Sequence, residues 1–583
     1  MKHLSAHKYV LLGVREPFGL LQNATNMENG RQTEQSMSLL EDVEVVLKFR
    51  KKTKTNCFCF LTLIFFGPVF ISETASVFAS ETEQIRIIST NDIHSYLRPI
   101  YYRYLDEFKP WGAQSREGDY VNKAEIEGKI GGMAHVATMI KKLRAEKPGK
   151  NLLLDAGDTW HGAGLSLFDK GVSMVKIMNA IGYDVMTPGN WEFLYPKDHF
   201  LDLVDQANFP VIAYNLTDRE WEEPVLDQYV VKKVGNLKVA LIGLTYPWTA
   251  LTSAITGAAK WFKFGIKEEE ARNLIADIRK NENPDLIVFV SHGGYGLDQK
   301  FAQRVDGIDI YLSGHTHDEV FDPVVWNDTI IFQGGAHGKY VVSLDVDVKD
   351  KKIQNFDYRL LKVRQNQIEP DPEIEKLIEE AYEPYKKRLS EVVGQTKVIL
   401  YRRDYFQSSM GNLLTDAMRD SQKTDIAFFP AWRYGATMMP GKITAEDVYN
   451  IVPTDGHVFT YSMGGKGLKT LLENILGSVV NKDPYTRVGG DMIRFSGMKL
   501  VADLAKSPGN RIVSLTVGVK PFSKDAVYSV ASAHTRFQNA PLFGASKVKD
   551  TGIVFVEELI NYIRKNSPIT SALDDRINIL GFQ

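Results

Sequence analysis

Cysteine is almost absent from this chain: two in 583 residues, Cys57 and Cys59, with none after them. Past residue 59 there is no disulfide, thiol nucleophile or thiolate ligand, so any metal must be held by imidazole, carboxylate or amide groups. A charge excess is missing too. Lys plus Arg number 70 against 72 Asp plus Glu, a formal net charge of −2, so no overall field favours nucleic acid or an acidic membrane surface. Internal repeats and low-complexity tracts are also lacking.

The apolar run CFCFLTLIFFGPVF is about 14 residues long, short of the ~20 that a membrane helix needs. It follows the basic stretch KFRKKTKTN and precedes the small residues of SVFAS. Basic, then apolar, then small is the order of a secretory signal peptide, expected over residues 51–80. An uncleaved anchor is the alternative; cleavage leaves a periplasmic protein with no membrane association. Residues 1–50 read as a non-native extension or a disordered segment, with translation starting nearer the basic stretch.

With 44% hydrophobic and 24% charged residues, the rest reads as globular, and its length implies more than one domain. From Gln84 the runs IRIIST, NLLLDAG, DVMTPG, KVALIGLTY, DLIVFVSHGG and DIYLSGHTH each read as a buried strand ending in polar or glycine-rich residues. Amphipathic stretches such as GGMAHVATMIKKLRAE and EEEARNLIADIRKNE alternate with them, which implies a layered α/β domain over 84–362. The charged, glycine-free DPEIEKLIEEAYEPYKKRLSEVV reads as a linking helix within 363–393, and a second unit fills 394–583.

The strand ends carry the chemistry. NDIHS places Asp92 and His94 two apart, facing the same way in an extended segment. DAGDTW offers Asp158, PGNWE offers Asn190, SHGG offers His292, and SGHTHD offers His315 and His317. Singly each is an ordinary loop polar. Five segments in order, each putting His, Asp or Asn just after a buried strand, read as one site. Nitrogen and oxygen donors without sulfur suit Mn²⁺, Zn²⁺ or Fe, and two such ions about 3.5–4 Å apart can clamp a tetrahedral oxyanion and activate water. Hydrolysis is the chemistry expected.

These motifs resemble those of the calcineurin-like metallophosphoesterases, and the layout resembles their 5′-nucleotidase and UDP-sugar hydrolase branch, GNLLTDAM (411–418) matching the start of its C-terminal domain. The resemblance implies a four-layer αββα metallophosphoesterase domain followed by an α/β 5′-nucleotidase-type C-terminal domain. It puts one divalent ion on Asp92, His94 and His317, the other on Asn190, His292 and His315, and Asp158 between them.

Where the nucleotidases have GNHEFD, with a catalytic His and Asp, this chain reads GNWEFL, with Trp191 and Leu194. An indole nitrogen exchanges no proton near neutral pH. This departure, VGGDMIRFSG (488–497) and FPAWRYGATMMPGKITAEDV (429–448) resemble the SoxB thiosulfohydrolase family. That family implies a monomeric periplasmic enzyme with two Mn²⁺ ions, releasing sulfate from a cysteine S-thiosulfonate on a SoxYZ-like sulfur-carrier protein. Its leaving group is a persulfide, acidic enough to depart without a general acid. Asn190 departs from the resemblance, following the nucleotidases where many of these enzymes have His. A nucleotide or UDP-sugar phosphohydrolase with a modified site is the alternative reading.

Trp191 is assigned to the catalytic set with Asp158 and Asn190, and Arg433 is expected to grip the sulfonate through its guanidinium fork. His161 reads as orienting a ligand, touching substrate or lying at the surface. His337 reads as a turn residue near the cluster. Trp191, Tyr195, Trp432 and Tyr434 are read as a narrow channel or as core, and Phe429, Phe495 and Phe537 as the aromatics from which a nucleotidase would need a base-stacking pair.

Overall fold

The computed structural model describes residues 81–102, 127–253, 257–402, 404–432, 435–489, 491–533 and 544–581. The expectations for residues 1–50 and 51–80, for Arg433, Tyr434 and Phe537, lie outside the described residues. Among those described, no helix is long and apolar enough to cross a membrane.

The apolar runs form the strands expected, and their alternation builds the layers. β1 (Glu83–Thr90), β2 (Asn151–Asp155) and β3 (Val185–Met186) are parallel neighbours in one sheet. β4 (Tyr229–Val234), β5 (Leu237–Leu244), β6 (Leu286–Ser291), β7 (Ile310–Ser313), β8 (Val324–Trp326) and β9 (Thr329–Gln333) form a second, in the order β8-β9-β7-β6-β5-β4. β10 (Tyr340–Lys349) and β11 (Lys352–Lys362) return to complete the first sheet as β11-β10-β1-β2-β3.

Ile85 and Ile87 of β1, Leu152 and Leu154 of β2, Val239 and Leu241 of β5, and Val288 and Val290 of β6 share one core between the sheets. The intervening residues face outward under helices. Ile88 and Leu153 pack beneath α1 (Met133–Glu146) and α2 (Val172–Ile181), while Ile287, Phe289 and Tyr311 pack beneath α3 (Glu268–Asn281) and α4 (Tyr295–Ala302). Apolar side chains on both faces are what parallel strands buried on both sides require. The result is helix, sheet, sheet, helix.

The charged linking stretch differs from a single helix. Asp371 caps α5 (Pro372–Tyr382) by accepting from the N–H of Glu373 and Ile374 at 3.2 and 3.1 Å. Beyond Tyr382 the chain turns through Glu383–Tyr385, where Pro384 has no N–H to donate, before a short turn at Lys386–Leu389. Ile374, Ile378 and Tyr382 are buried, so this segment belongs to the core.

The C-terminal lobe holds α6 (Ser409–Gln422), β12 (Ile426–Phe429), α7 (Ala445–Ile451), β13 (His457–Gly464), α8 (Gly465–Val479), β14 (Arg494–Ser496), β15 (Val527–Ala533), β16 (Ala545–Val554) and α9 (Phe555–Asn566). Its main sheet runs β14-β12-β15-β13-β16. Leu413, Phe429 and Leu559 of this lobe lie in one continuous core with Trp160 and Leu165 of the first. Hydrogen bonds cross the same junction, Tyr96 Oη donating to the Asn450 carbonyl at 2.8 Å and the Gly164 N–H to Asn450 Oδ1 at 2.8 Å.

Candidate metal centre

All seven candidate ligands follow the C-terminal ends of neighbouring strands. Asp92 and His94 follow β1, Asp158 follows β2, Asn190 lies beyond β3, His292 follows β6, and His315 and His317 follow β7. The structure brings them into two adjoining groups, Asp92 with His94 and His317, and Asp158 with His292 and His315, each able to hold a metal ion.

The ligand atoms converge tightly. His94 Nε2 and His317 Nε2 are 3.2 Å apart, His317 Nε2 is 3.2 Å from Asp92 Oδ1, and His292 Nε2 is 3.1 Å from Asp158 Oδ2. Asp158 Oδ2 is also 3.9 Å from His94 Nε2, and Asp92 Oδ1 is 3.9 Å from His292 Nε2. Both carboxylates therefore stand between the groups. The amide oxygen of Asn190 is buried in the same cleft with no hydrogen-bond partner among the described residues. A buried acceptor left unmatched is costly, and a cation would satisfy it.

The electrostatics point the same way. Burial raises the Asp92 and Asp158 carboxyls and holds the His94 imidazole well below its usual value, with His317 adding to the effect. Burial also pulls His292 down, but Asp158 and Asp92 outweigh it and lift that imidazole to about 10. Charges this crowded in a dry site favour divalent cations, which reverse the local preference of each group. The donor set fits two of them.

The backbone is bent to make this possible. Asp92 (φ 51°), His94 (52°), Asp158 (54°), His315 (72°) and His317 (60°) all sit in the left-handed region, as does His337 (61°). Such residues cluster where a site over-determines the chain. Gly189, just before Asn190, is a close-approach position: a Cβ there would lie 2.3 Å from Asp158 Oδ1 and 2.7 Å from His292 Cε1.

Several residues that hold the ligands carry no role in the sequence reading. Glu192, fully buried, accepts from four backbone N–H groups: Asp158 at 3.0 Å, Gly189 at 2.8 Å, Thr159 at 2.7 Å and Trp160 at 2.9 Å. Asn91 donates to Asp92 Oδ2 at 2.6 Å and to the Gly335 carbonyl at 2.7 Å. Tyr246 stacks on His315, centroids 3.8 Å apart. Glu192 and Tyr246 close two of the segments quoted above, PGNWE and KVALIGLTY; position beside a ligand is the one signal they give.

Trp191 donates its backbone N–H to Asp158 Oδ1 at 2.7 Å, and its ring meets His94 edge-on at 5.3 Å. His161 is buried rather than at the surface; its carbonyl accepts His94 Nδ1 at 3.1 Å, and its ring lies 4.7 Å from that of Tyr195. His337 has its ring 5.4 Å from His317 and 5.8 Å from His94. Tyr195 belongs to the core, its hydroxyl bound to the carbonyls of Trp160 and Ser166. Phe429 and Phe495 are buried in the C-terminal lobe.

A cleft of about 280 Å³ opens over the ligands. Trp191 and Leu194 line it, with Trp432, whose ring meets that of Trp191 at 5.4 Å, and with Leu471, Ile475, Val488 and Ile493 of the C-terminal lobe.

Comparison with known proteins agrees with this architecture. Residues 85–319 match the calcineurin-like phosphoesterase family and residues 392–545 the 5′-nucleotidase C-terminal domain. The trifunctional nucleotide phosphoesterase YfkN of Bacillus subtilis (strain 168) is 28% identical over 426 residues, which cover 65% of this chain and 28% of that much longer protein. Snake venom 5′-nucleotidase of Gloydius brevicauda is 27% identical over 504 residues, 78% of this chain and 79% of the relative. Among solved structures, the Thermus thermophilus sulfate thiohydrolase SoxB in complex with glycerol superposes with a TM-score of 0.78 at 25% identity, covering 86% of this chain and 97% of that one. With a calcineurin-like domain carrying two candidate metal groups and a 5′-nucleotidase C-terminal domain behind it, the chain belongs to the 5′-nucleotidase/calcineurin-like metallophosphoesterase family of metal-dependent hydrolases.

Proposed function

We propose that this chain is a periplasmic thiosulfohydrolase that releases sulfate from a cysteine S-thiosulfonate on a sulfur-carrier protein. The observation that carries the reading is what stands beside the ligands. Trp191 and Leu194 line the cleft at the two positions where the nucleotidase motif has its His and Asp. Neither can give a proton to a leaving group. A substrate whose leaving group departs as an anion fits such a site.

In this reading, water adds to the sulfonate sulfur, the S–S bond breaks, and persulfide leaves with the bonding electrons. Asp92, His94 and His317 would hold one Mn²⁺ and Asn190, His292 and His315 the other, with Asp158 between; such a pair supplies oxyanion stabilisation and an activated water. Arg433 is assigned to the sulfonate and Trp191 to shielding the reacting centre. The aliphatic lining of Leu471, Ile475, Val488 and Ile493 suits an extended carrier arm. Trp432 is the C-terminal lobe's single aromatic among the described residues lining this cleft, so the paired rings expected of a nucleobase clamp find no support there. The protein is expected to act as a monomer. The resemblance to SoxB, in sequence motif and in fold, supports the reading.

A modified 5′-nucleotidase or UDP-sugar phosphohydrolase is the second reading, favoured by the names of the sequence relatives. The test is to supply Mn²⁺-loaded protein with S-thiosulfonated carrier, AMP and UDP-glucose in parallel. Sulfate release without phosphate release is expected; rapid phosphate release from AMP would sink the proposal. Trp191→His with Leu194→Asp should raise AMP hydrolysis about 100-fold from a low base, the lower end of what a placed general acid contributes. No gain would mean that access to the cleft sets specificity instead.

A further inference from the structure

Asp298, in the first turn of α4, is fully buried, yet it lies outside the ligand set. One hydroxyl reaches it: Ser291 Oγ donates to Asp298 Oδ1 at 2.8 Å, while those of Ser313 and Tyr311 lie near the carboxyl without a hydrogen bond to it. Ser291 ends β6, one residue before His292, and Ser313 ends β7, two before His315. The strands are parallel with Val290 opposite Leu312, so the two serines finish adjacent strands side by side.

One further contact joins α4 to the loop after β7: the Tyr295 N–H donates to Thr316 Oγ1, between His315 and His317, at 3.1 Å; within the loop before α4, Ser291 Oγ also accepts the Gly293 N–H at 2.9 Å. Gly293 has a reason of its own: a Cβ there would sit 2.5 Å from Asp298 Oδ1. The glycine after His292 is what lets the carboxyl reach the serine.

We propose that Asp298 is a positioning residue for the second candidate metal group, tying α4 to the end of β6 while Tyr295 ties it to the loop after β7, so that His292 and His315 keep the spacing one ion needs. The inference rests on the two-metal reading of the site and not on the identity of the substrate. Burial lifts the Asp298 carboxyl to about 7 against the pull of the hydroxyls near it. A buried carboxyl without a cation is costly where an apolar side chain could pack, which argues that the residue serves the loops rather than the core.

Mn²⁺ titration of metal-free full-length protein, by calorimetry and by electron paramagnetic resonance, tests this without any substrate. Wild type should take two ions and show the signal of a coupled pair. Asp298→Ala should weaken one site about 10–100-fold, the range for loss of a residue supporting a ligand, hold the other within about twofold, and lose the coupled signal. Asp298→Asn, whose amide oxygen still accepts from Ser291, should bind almost as wild type does. If Asp298→Ala fails to fold, Ser291→Ala, which removes the hydroxyl bound to the carboxyl, makes the same test with a smaller change. Variants that bind both ions normally while melting lower, or that lose both equally, would overturn the proposal. A wild type that takes fewer than two ions would overturn the metal-pair reading itself, whatever the substrate assays give.

Discussion

Replacing Glu192 by Gln exchanges one carboxylate oxygen for an NH₂ group of nearly the same shape. Each oxygen of Glu192 serves two backbone N–H groups, Oε1 those of Thr159 and Trp160, Oε2 those of Asp158 and Gly189. In either amide orientation, two of these donors would meet another donor. Leaving a buried N–H unmatched costs ~1–3 kcal/mol, so two give ~2–6 kcal/mol. Burial pushes the Glu192 carboxyl up and repulsion from Asp158 adds to it; relief of that repulsion opposes the loss. It is muted because His292, 3.1 Å away, already offsets the Asp158 charge. The loss should therefore dominate.

The lost bonds join the Asp158 turn to the Asn190 turn, so the damage should be local as well as global. A misplacement of ~1 Å at a reacting centre can cost ~100-fold in rate. Glu192→Gln should therefore melt lower than wild type and lose about 100-fold in kcat, with weakened Mn²⁺ binding by metal analysis after gel filtration. Wild-type melting together with wild-type kcat would refute the reasoning, because it would mean that those N–H groups do not depend on the carboxylate.

Removing metal with a chelator should abolish turnover and leave near-ultraviolet circular dichroism unchanged, Mn²⁺ restoring activity; Asp158→Ala should abolish turnover irreversibly, and its retention would exclude the site as described. Glu558 gives a pH dependence. It is buried in the C-terminal lobe, accepts from Gln422 Nε2 at 2.6 Å, and is pushed by burial to about 7. The fold thus favours the neutral acid, a contribution present in full below the ordinary carboxyl value of 4.5 and lost as pH rises through 7. Glu558→Gln should raise the melting temperature over wild type at pH 8 and not at pH 5. An equal gain at both would assign the effect to packing.

Much of the fold could be read because its core strands are parallel and buried on both faces. IRIIST and DLIVFVSHGG are apolar throughout and end abruptly in polar residues, and that boundary is also where the ligands lie. What escaped reading depends on partners distant in sequence. Glu192 is unremarked in PGNWE because its four partners span Asp158 to Gly189, and Tyr246 because the ring it covers is 69 residues on, at His315. Tyr195 and Trp432 look alike as channel aromatics; the Tyr195 hydroxyl finds two buried carbonyls and stays in the core, while Trp432 lines the cleft and meets Trp191 edge-on at 5.4 Å. The broken helix after Tyr382 was legible in Pro384 and outweighed by the charge pattern around it.

The bent ligand backbones bear on what decides specificity. Five non-glycine residues held left-handed cost ~1–2 kcal/mol each, together as much as the net stability of many domains. They persist because the framework fixes them: the N–H of Asp92 and of His94 donate to the carbonyls of Gly157 and Asp158, that of His337 donates to the Asp92 carbonyl, and Glu192 holds the Asp158 turn. A site constrained this heavily has little freedom to adapt its ligand geometry to one substrate. The same framework can serve any tetrahedral centre that reaches it. On the proposed thiosulfohydrolase reading, selection between a phosphate ester and a sulfonate then falls to the groups lining the cleft, first Trp191 and Leu194, which stand where the nucleotidase motif has its His and Asp, and then Leu471, Ile475, Val488 and Ile493, which among the described residues offer aliphatic surface rather than a ring on which a base could stack.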